Sequence, residues 1–327
     1  MPDNNEVFSL THEEHRRIFE ALKAQHIEGR RASRKPQAII LLGQPGSIKN
    51  GLMASITQNL PDKNFVMIDD EELKRQHPKY EQSAMENDSL VLGQITADAQ
   101  GWKKSLIQTA MKGQLNLVIR DSHCEAGTVS ETLKRLRENG YTSSIYVVSA
   151  HERESILSLY QKREDEIATQ GYSERPQISE HDKSYEALPE EVRKIEREKS
   201  ADEIIISDMQ GQIFYRNGLK NNEWTRTPEA AKTLEETRNR AWTPEEISKY
   251  QEDWNAVINK MTERGASKQE LEEVSQVRNR CLKSLKTVSQ EKIAELNKVE
   301  ENEIEAAVSL LKNPRSLDNS SFRGNEA

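Results

Sequence analysis

The eight residues Gly43-Gln-Pro-Gly-Ser-Ile-Lys-Asn50 carry the most chemical information in this 327-residue chain. A phosphate-binding loop uses glycines so that consecutive backbone N–H groups turn toward phosphate oxygens. Its lysine reaches the outer phosphates, a closing Ser or Thr hydroxyl binds magnesium, and the next helix contributes its N-terminal dipole. Gly43, Gly46 and Lys49 meet that scheme, with Gln44, Pro45 and Ser47 filling the turn. Ile48 stands where the last glycine is expected, and Asn50 stands at the magnesium ligand. A β-branched side chain at 48 is expected to crowd the backbone's approach to phosphate, and a carboxamide is a weaker magnesium ligand than a well-placed hydroxyl. On its own the octapeptide fits equally a Gly/Pro turn with a solvated lysine. Its position directly after a buried strand favours phosphate.

Other polar groups gather at matching places. Asp69-Asp70-Glu71-Glu72 follows a second apolar run and precedes His77-Pro78. Acids at the carboxyl end of a parallel strand face the ligand crevice, where one can serve as general base for a hydroxyl acceptor. Equally, acids there cap the helix that follows. A third run ends in Arg120-Asp121-Ser122-His123-Cys124, with a basic residue at a strand end where P-loop kinases often carry an acid. A lone His-Cys pair in a loop is more often incidental than nucleophilic. Lys162, Arg163 and Arg175 follow, then His181-Asp182. Singly these are ordinary surface charges; beside a phosphate loop, arginines can stabilise a transferring phosphoryl group.

The elements that must hold these groups are readable from periodicity. Thr11-His-Glu-Glu14 has capping-box form and opens a helix over about 12–28. Apolar runs at 38–42, 65–68, 115–119, 145–148 and 204–206 read as buried strands, with helices such as 89–112 and 129–139 between them. That alternation predicts an α/β fold with a parallel sheet covered on both faces, closed by a hairpin through 213–215. Thr243-Pro-Glu-Glu246 and Ser267-Lys-Gln-Glu270 open two further helices, whose narrow apolar stripe to about residue 312 predicts a C-terminal helical hairpin.

Composition sets the outer limits. The net charge of −8 argues against a nucleic-acid partner, whose phosphates demand a basic face. No apolar run approaches the ~20 residues of a membrane helix, and the first residues lack the pattern of a signal peptide. Cys124 and Cys281 are far apart and suit a reducing cytoplasm. Only 34% of residues are hydrophobic, which fits an ordinary core diluted by charged helices and a polar tail.

Taken in order, these pieces resemble the zeta toxin family of P-loop kinases. The matching residues are LLGQPGS-K at 41–49, Ile68-Asp69 with KRQHP at 74–78, and Asp98 with Trp102. NLVI at 116–119, Arg163-Glu164, and His181-Asp182 with YEALP at 185–189 match as well. The resemblance extends over roughly 36–265 and includes Trp242-Thr-Pro-Glu-Glu246, Tyr250 and Trp254. It implies a P-loop kinase-like sheet with flanking helices, using ATP or another nucleoside triphosphate with Mg2+. The implied acceptor is a hydroxyl of a UDP-amino sugar, a cell-wall precursor, and the implied protein partner is an antitoxin or another protein bound through the helical regions.

By the same resemblance Lys49 and the 43–50 loop hold nucleotide, and Asn50 takes the metal position. Glu71 falls on the catalytic base, with Asp69 beside it, while Arg163 and Arg175 clamp the γ-phosphoryl group and His77 and Asp121 fall on the acceptor side. The expected segments are 1–35 (helix and basic linker), 36–217 (kinase domain), 218–312 (helical extension) and 313–327 (disordered tail). Four departures fall on the chemistry: Ile48, Asn50, Glu71 for an Asp base, and Arg120 for an acid. They leave three readings open: a weakened kinase, a catalytically inactive pseudokinase acting as a binding or regulatory module, and a kinase with changed substrate or metal use.

Overall fold

The computed structural model describes residues 10–48, 50–58, 64–121 and 127–283. Helix α1 (His12–Ile27) begins at the expected capping box: Glu14 N donates to Thr11 Oγ1 at 3.2 Å, and Thr11 N donates back to the Glu14 carboxylate at 2.9 Å. Strand β1 (Gln37–Leu42) then enters the middle of a seven-stranded sheet. The others are β2 (Val66–Asp69), β3 (Leu117–Asp121), β4 (Thr142–Val148), β5 (Glu203–Ser207), β6 (Ile213–Lys220) and β7 (Glu223–Trp224), in the order β2-β3-β1-β4-β5-β6-β7. The first five strands pair in parallel, whereas β6 pairs antiparallel with both β5 and β7, so the expected closing hairpin is present.

Strand β1 shows why its sequence is apolar throughout. Ile40 and Leu42 belong to a large core with Trp102, Leu106 and Leu133, whereas Leu41 joins a second core with Leu52, Met53 and Ile56. Successive side chains point to opposite faces, and both faces are covered. Helices α2 (Asn50–Gln58), α3 (Asp70–Arg75), α5 (Ser89–Lys112) and α6 (Thr128–Glu138) supply part of that cover, and α4 (Tyr80–Glu86) packs on α5. Helix α7 (Glu152–Gln170) packs on α8 (Ile178–Glu198), which adds to that cover together with α9 (Ala230–Arg238) and α1. Asp88 caps α5 through its side chain, and Gly140 takes φ +80° just past α6, a conformation glycine adopts without penalty.

The described chain forms two compact units. One comprises 10–240 with 255–264 and carries the whole sheet. The other comprises 241–254 with 265–283, where Tyr250 meets Trp242 and Trp254 edge-on. Helix α10 (Pro244–Glu263) starts at the Thr243 cap, and helix resumes at 268–283 after Gly265, whose φ is +75°. The remainder of the expected second helix, to 312, and the tail lie outside the described residues.

Candidate active site at the end of the sheet

The loop between β1 and α2 is a tight turn whose side chains mostly serve the turn itself. Ser47 Oγ donates to Gln44 O at 2.7 Å, and Gln44 Nε2 donates to Ala150 O at 3.0 Å and to Ser155 Oγ at 3.2 Å. Ser155 in turn meets His181 Nε2 at 2.7 Å, and His181 Nδ1 lies 3.0 Å from Asp182. This buried chain of polar groups ties the loop to α7 and α8. Gly46 is required where the loop crosses α7. Its φ is +81°, and a Cβ there would sit 2.9 Å from Leu159 Cγ and closer still to the Ser155 carbonyl oxygen. Lys49 lies outside the described residues, as do His123 and Cys124.

Ile48 departs from expectation in an instructive way. Its side chain is only 4% exposed and joins Leu41, Leu52, Met53 and Ile56 in the second core. The β-branched group therefore turns inward, its direction fixed by apolar burial, while the residue still lines the crevice beside Asn50 and Arg120. Only its carbonyl enters the polar network.

Arg120 organises that network. It lies beside Asp69 in the parallel register of β2 and β3, at the carboxyl end of the sheet. Its guanidinium donates to Ile48 O at 2.6 Å, to Asp69 Oδ2 at 3.1 Å and to Asn50 Oδ1 at 3.4 Å. Asp69 also caps α3 by accepting from Glu71 N at 3.0 Å. Both of its expected roles, crevice acid and helix cap, thus meet in one side chain, with its charge directed at Arg120.

Glu71, one residue past the start of α3, pairs with Lys162 of α7. Burial pushes its carboxyl upward, but the Lys162 ammonium and the Arg120 guanidinium outweigh burial and hold it below the ordinary carboxylate value. Glu71 is therefore ionised at neutral pH. Glu71, Arg163, Arg175 and Pro45 of the loop line one cleft, and a second cleft sharing Glu71 and Lys162 reaches Gly46, Asn50, Asp69 and Arg120. The cleft's cations are held by acids: Arg75 lies 2.7 Å from Glu166, Lys74 lies 3.5 Å from Glu174, and Lys162 also reaches Glu166 at 3.7 Å. Arg163 is mostly buried beside Glu164, which accepts a two-pronged contact from Arg264 at 2.6 and 3.0 Å.

Two expected acceptor-side residues are not on this cleft. His77 is 2% exposed, accepts from Lys79 N through Nδ1, and packs near Trp102 with Nε2 3.5 Å from Asp98. Burial lowers its basicity more than Asp98 raises it, so its imidazole is mainly neutral at pH 7. Asp121 turns to Lys103 at 3.1 Å, and the same ammonium takes Asp70 at 3.0 Å. Burial opposes the charge on Lys103, but the two carboxylates prevail and raise its pKa. These residues brace the interior. The pairing of Lys162 with Glu71, 91 positions apart, had no local sequence signal.

A divalent cation held by Asn50 does not fit this arrangement. The two oxygens that would face it, Asn50 Oδ1 and Asp69 Oδ2, both accept from Arg120 Nη1. A cation between them would meet a fixed positive charge, a repulsion of about 4 kcal/mol per unit charge at about 4 Å and an effective dielectric near 20. Among the described residues no group of three or more His, Cys, Asp or Glu side chains is arranged to hold a metal. None of the described helices is long and apolar enough to cross a membrane.

The sequence pattern of the zeta toxin family matches residues 20–220, more than half of the chain. Toxin zeta of Enterococcus hirae is 25% identical over 224 residues, covering 68% of this chain and 76% of the relative. Toxin zeta of Streptococcus pyogenes is 26% identical over 224 residues, covering 68% and 75% respectively. Among solved structures, a chain from the PezAT chromosomal toxin–antitoxin system of Streptococcus pneumoniae superposes with a TM-score of 0.63 at 21% identity. That match covers 77% of this chain and 99% of the other, and it establishes a shared fold.

Proposed function

Because the chain belongs to the zeta toxin family, we propose that it transfers the γ-phosphoryl group of ATP to a hydroxyl of a UDP-activated amino sugar. The observation that carries this reading is the convergence of Glu71, Arg163 and Arg175 on one cleft beside the 43–50 loop. In the proposed reaction the acceptor oxygen attacks the γ-phosphorus, the bond to the β-phosphate oxygen breaks, and ADP leaves. The acceptor's proton passes to Glu71. A carboxylate held ionised by Lys162 is a modest base, which suffices because a loose phosphoryl-transfer transition state asks mainly for orientation of the nucleophile. Arg163 and Arg175 neutralise charge on the transferring group, and Lys49 holds the outer phosphates.

Mg2+ ordinarily neutralises nucleotide phosphates in this class of fold. The residues at its expected place do not suit it, because Arg120 already occupies Asn50 Oδ1 and Asp69 Oδ2. The proposed setting is the cytoplasm, and the proposed protein partner is an antitoxin bound through the helical regions, as the PezAT chain belongs to a toxin–antitoxin system.

The test is incubation of purified protein with ATP and UDP-N-acetylglucosamine, followed by mass spectrometry of the sugar nucleotide. A phosphorylated product that disappears with Lys49→Ala supports the reading, and its absence under every nucleotide and acceptor tried would remove it. One observation favours a second reading, an inactive binding module: Arg120 is bound to Ile48 O, Asn50 and Asp69 and closes the crevice end of the loop. Nucleotide binding without transfer would select that alternative.

A further inference from the structure

The geometry points to Arg120 as the stand-in for the divalent cation, so that this chain binds nucleoside triphosphate without a metal. The inference rests on the nucleotide-binding reading above and adds its charge chemistry. In a phosphate-binding loop the cation links the last loop position, an acid at a strand end, and the phosphates. Here Arg120 makes the first two of those links itself, to Asn50 Oδ1 at 3.4 Å and Asp69 Oδ2 at 3.1 Å. A third bond, 2.6 Å to Ile48 O, fixes the guanidinium against the loop backbone.

Three departures then read as one adapted set. Ile48 anchors its side chain in the core and offers its carbonyl to Arg120. Asn50 supplies a carbonyl oxygen that accepts an N–H. A Ser or Thr in its place would offer a hydroxyl suited to a metal. Arg120 supplies a permanent positive charge and planar donors that suit phosphate oxygens. Its side chain is 12% exposed, and its Nε has no hydrogen-bond partner among the described residues. The neighbouring strands hold its base: Asp69 and Arg120 are register partners across β2 and β3. A metal ligand set built from the same positions would need the charge at 120 reversed.

The experiment is calorimetric titration of the full chain with ATP, once in EDTA and once in excess MgCl2. Affinities within roughly threefold of each other are expected, a difference well under 1.4 kcal/mol. Arg120→Gln should weaken binding in EDTA by roughly ten- to a hundredfold, the size of a lost charge-assisted interaction. Arg120→Glu should make binding depend on Mg2+. Circular dichroism melts verify that each variant folds. Should the variants fail to fold, the native comparison of EDTA with MgCl2 decides alone. Native binding that requires Mg2+, or an Arg120→Gln affinity unchanged in EDTA, would overturn the inference and leave the kinase reading standing. No ATP binding in either buffer would remove the kinase reading itself.

Discussion

Replacing Gly46 by alanine should destabilise the sheet-bearing unit because the loop approaches α7 too closely for a side chain. The residue has φ +81°, where a side chain costs about 1–2 kcal/mol. The added Cβ would also lie 2.9 Å from Leu159 Cγ and 3.0 Å from the Ser155 carbonyl carbon. The leucine can rotate, but the Ser155 backbone is inside a helix and cannot. Forced overpacking of this kind costs about 1–3 kcal/mol, so the sum is about 2–5 kcal/mol. For a unit of this size each kcal/mol lowers the melting temperature by about 2–4 °C, giving an expected drop of about 4–20 °C. The assay is thermal unfolding followed by circular dichroism, with Gly51→Ala as control. Gly51 lies in the first turn of α2 with nothing within 4 Å of its would-be Cβ. That control should match wild type or gain up to about 1 kcal/mol from better helix propensity. A Gly46→Ala melt indistinguishable from the control would refute the claimed approach of loop to helix.

Two further outcomes are expected. Lys103→Met removes the buried ammonium shared by Asp70 and Asp121 and should cost about 3–5 kcal/mol, read from chemical denaturation, because two carboxylates lose the charge that lies between them. The Glu71–Lys162 pair should contribute stability that is fully present above the unfolded carboxylate pKa and is lost as pH falls through the lower folded value, since Glu71 is depressed in the folded state. Melting temperature against pH should therefore fall less steeply on the acid side for Glu71→Gln than for wild type; equal slopes would show that the pair does not carry this linkage.

Much of the frame was legible because it is written in local periodicity. The apolar run at 38–42, bounded by Pro36 and Gly43, reads as a strand covered on both faces, and Thr11 with Glu14 marks the start of α1. Ser89–Lys112 agrees with its expected bounds because Asp88 caps it and Gly113 ends it. The site was less legible, because its chemistry depends on directions that periodicity does not encode. Nothing local shows that Ile48 turns into the core, or that Arg120 reaches across to Ile48 O and Asn50. The family resemblance puts His77 on the acceptor side, yet packing near Trp102 takes it inside. The departure at Arg120 was visible as a reversed charge; that it bridges two oxygens of the metal position is a tertiary fact.

The central claim, that the cleft carrying Glu71, Arg163 and Arg175 is a kinase active site, is tested most directly by phosphoryl transfer with the base removed. Wild type and Glu71→Gln would be compared for conversion of UDP-N-acetylglucosamine by ATP, with product counted by mass spectrometry. The account predicts product from wild type and a rate at least about a hundredfold lower for Glu71→Gln, the usual contribution of a positioned general base. Equal rates for the two proteins would contradict the assignment of the cleft.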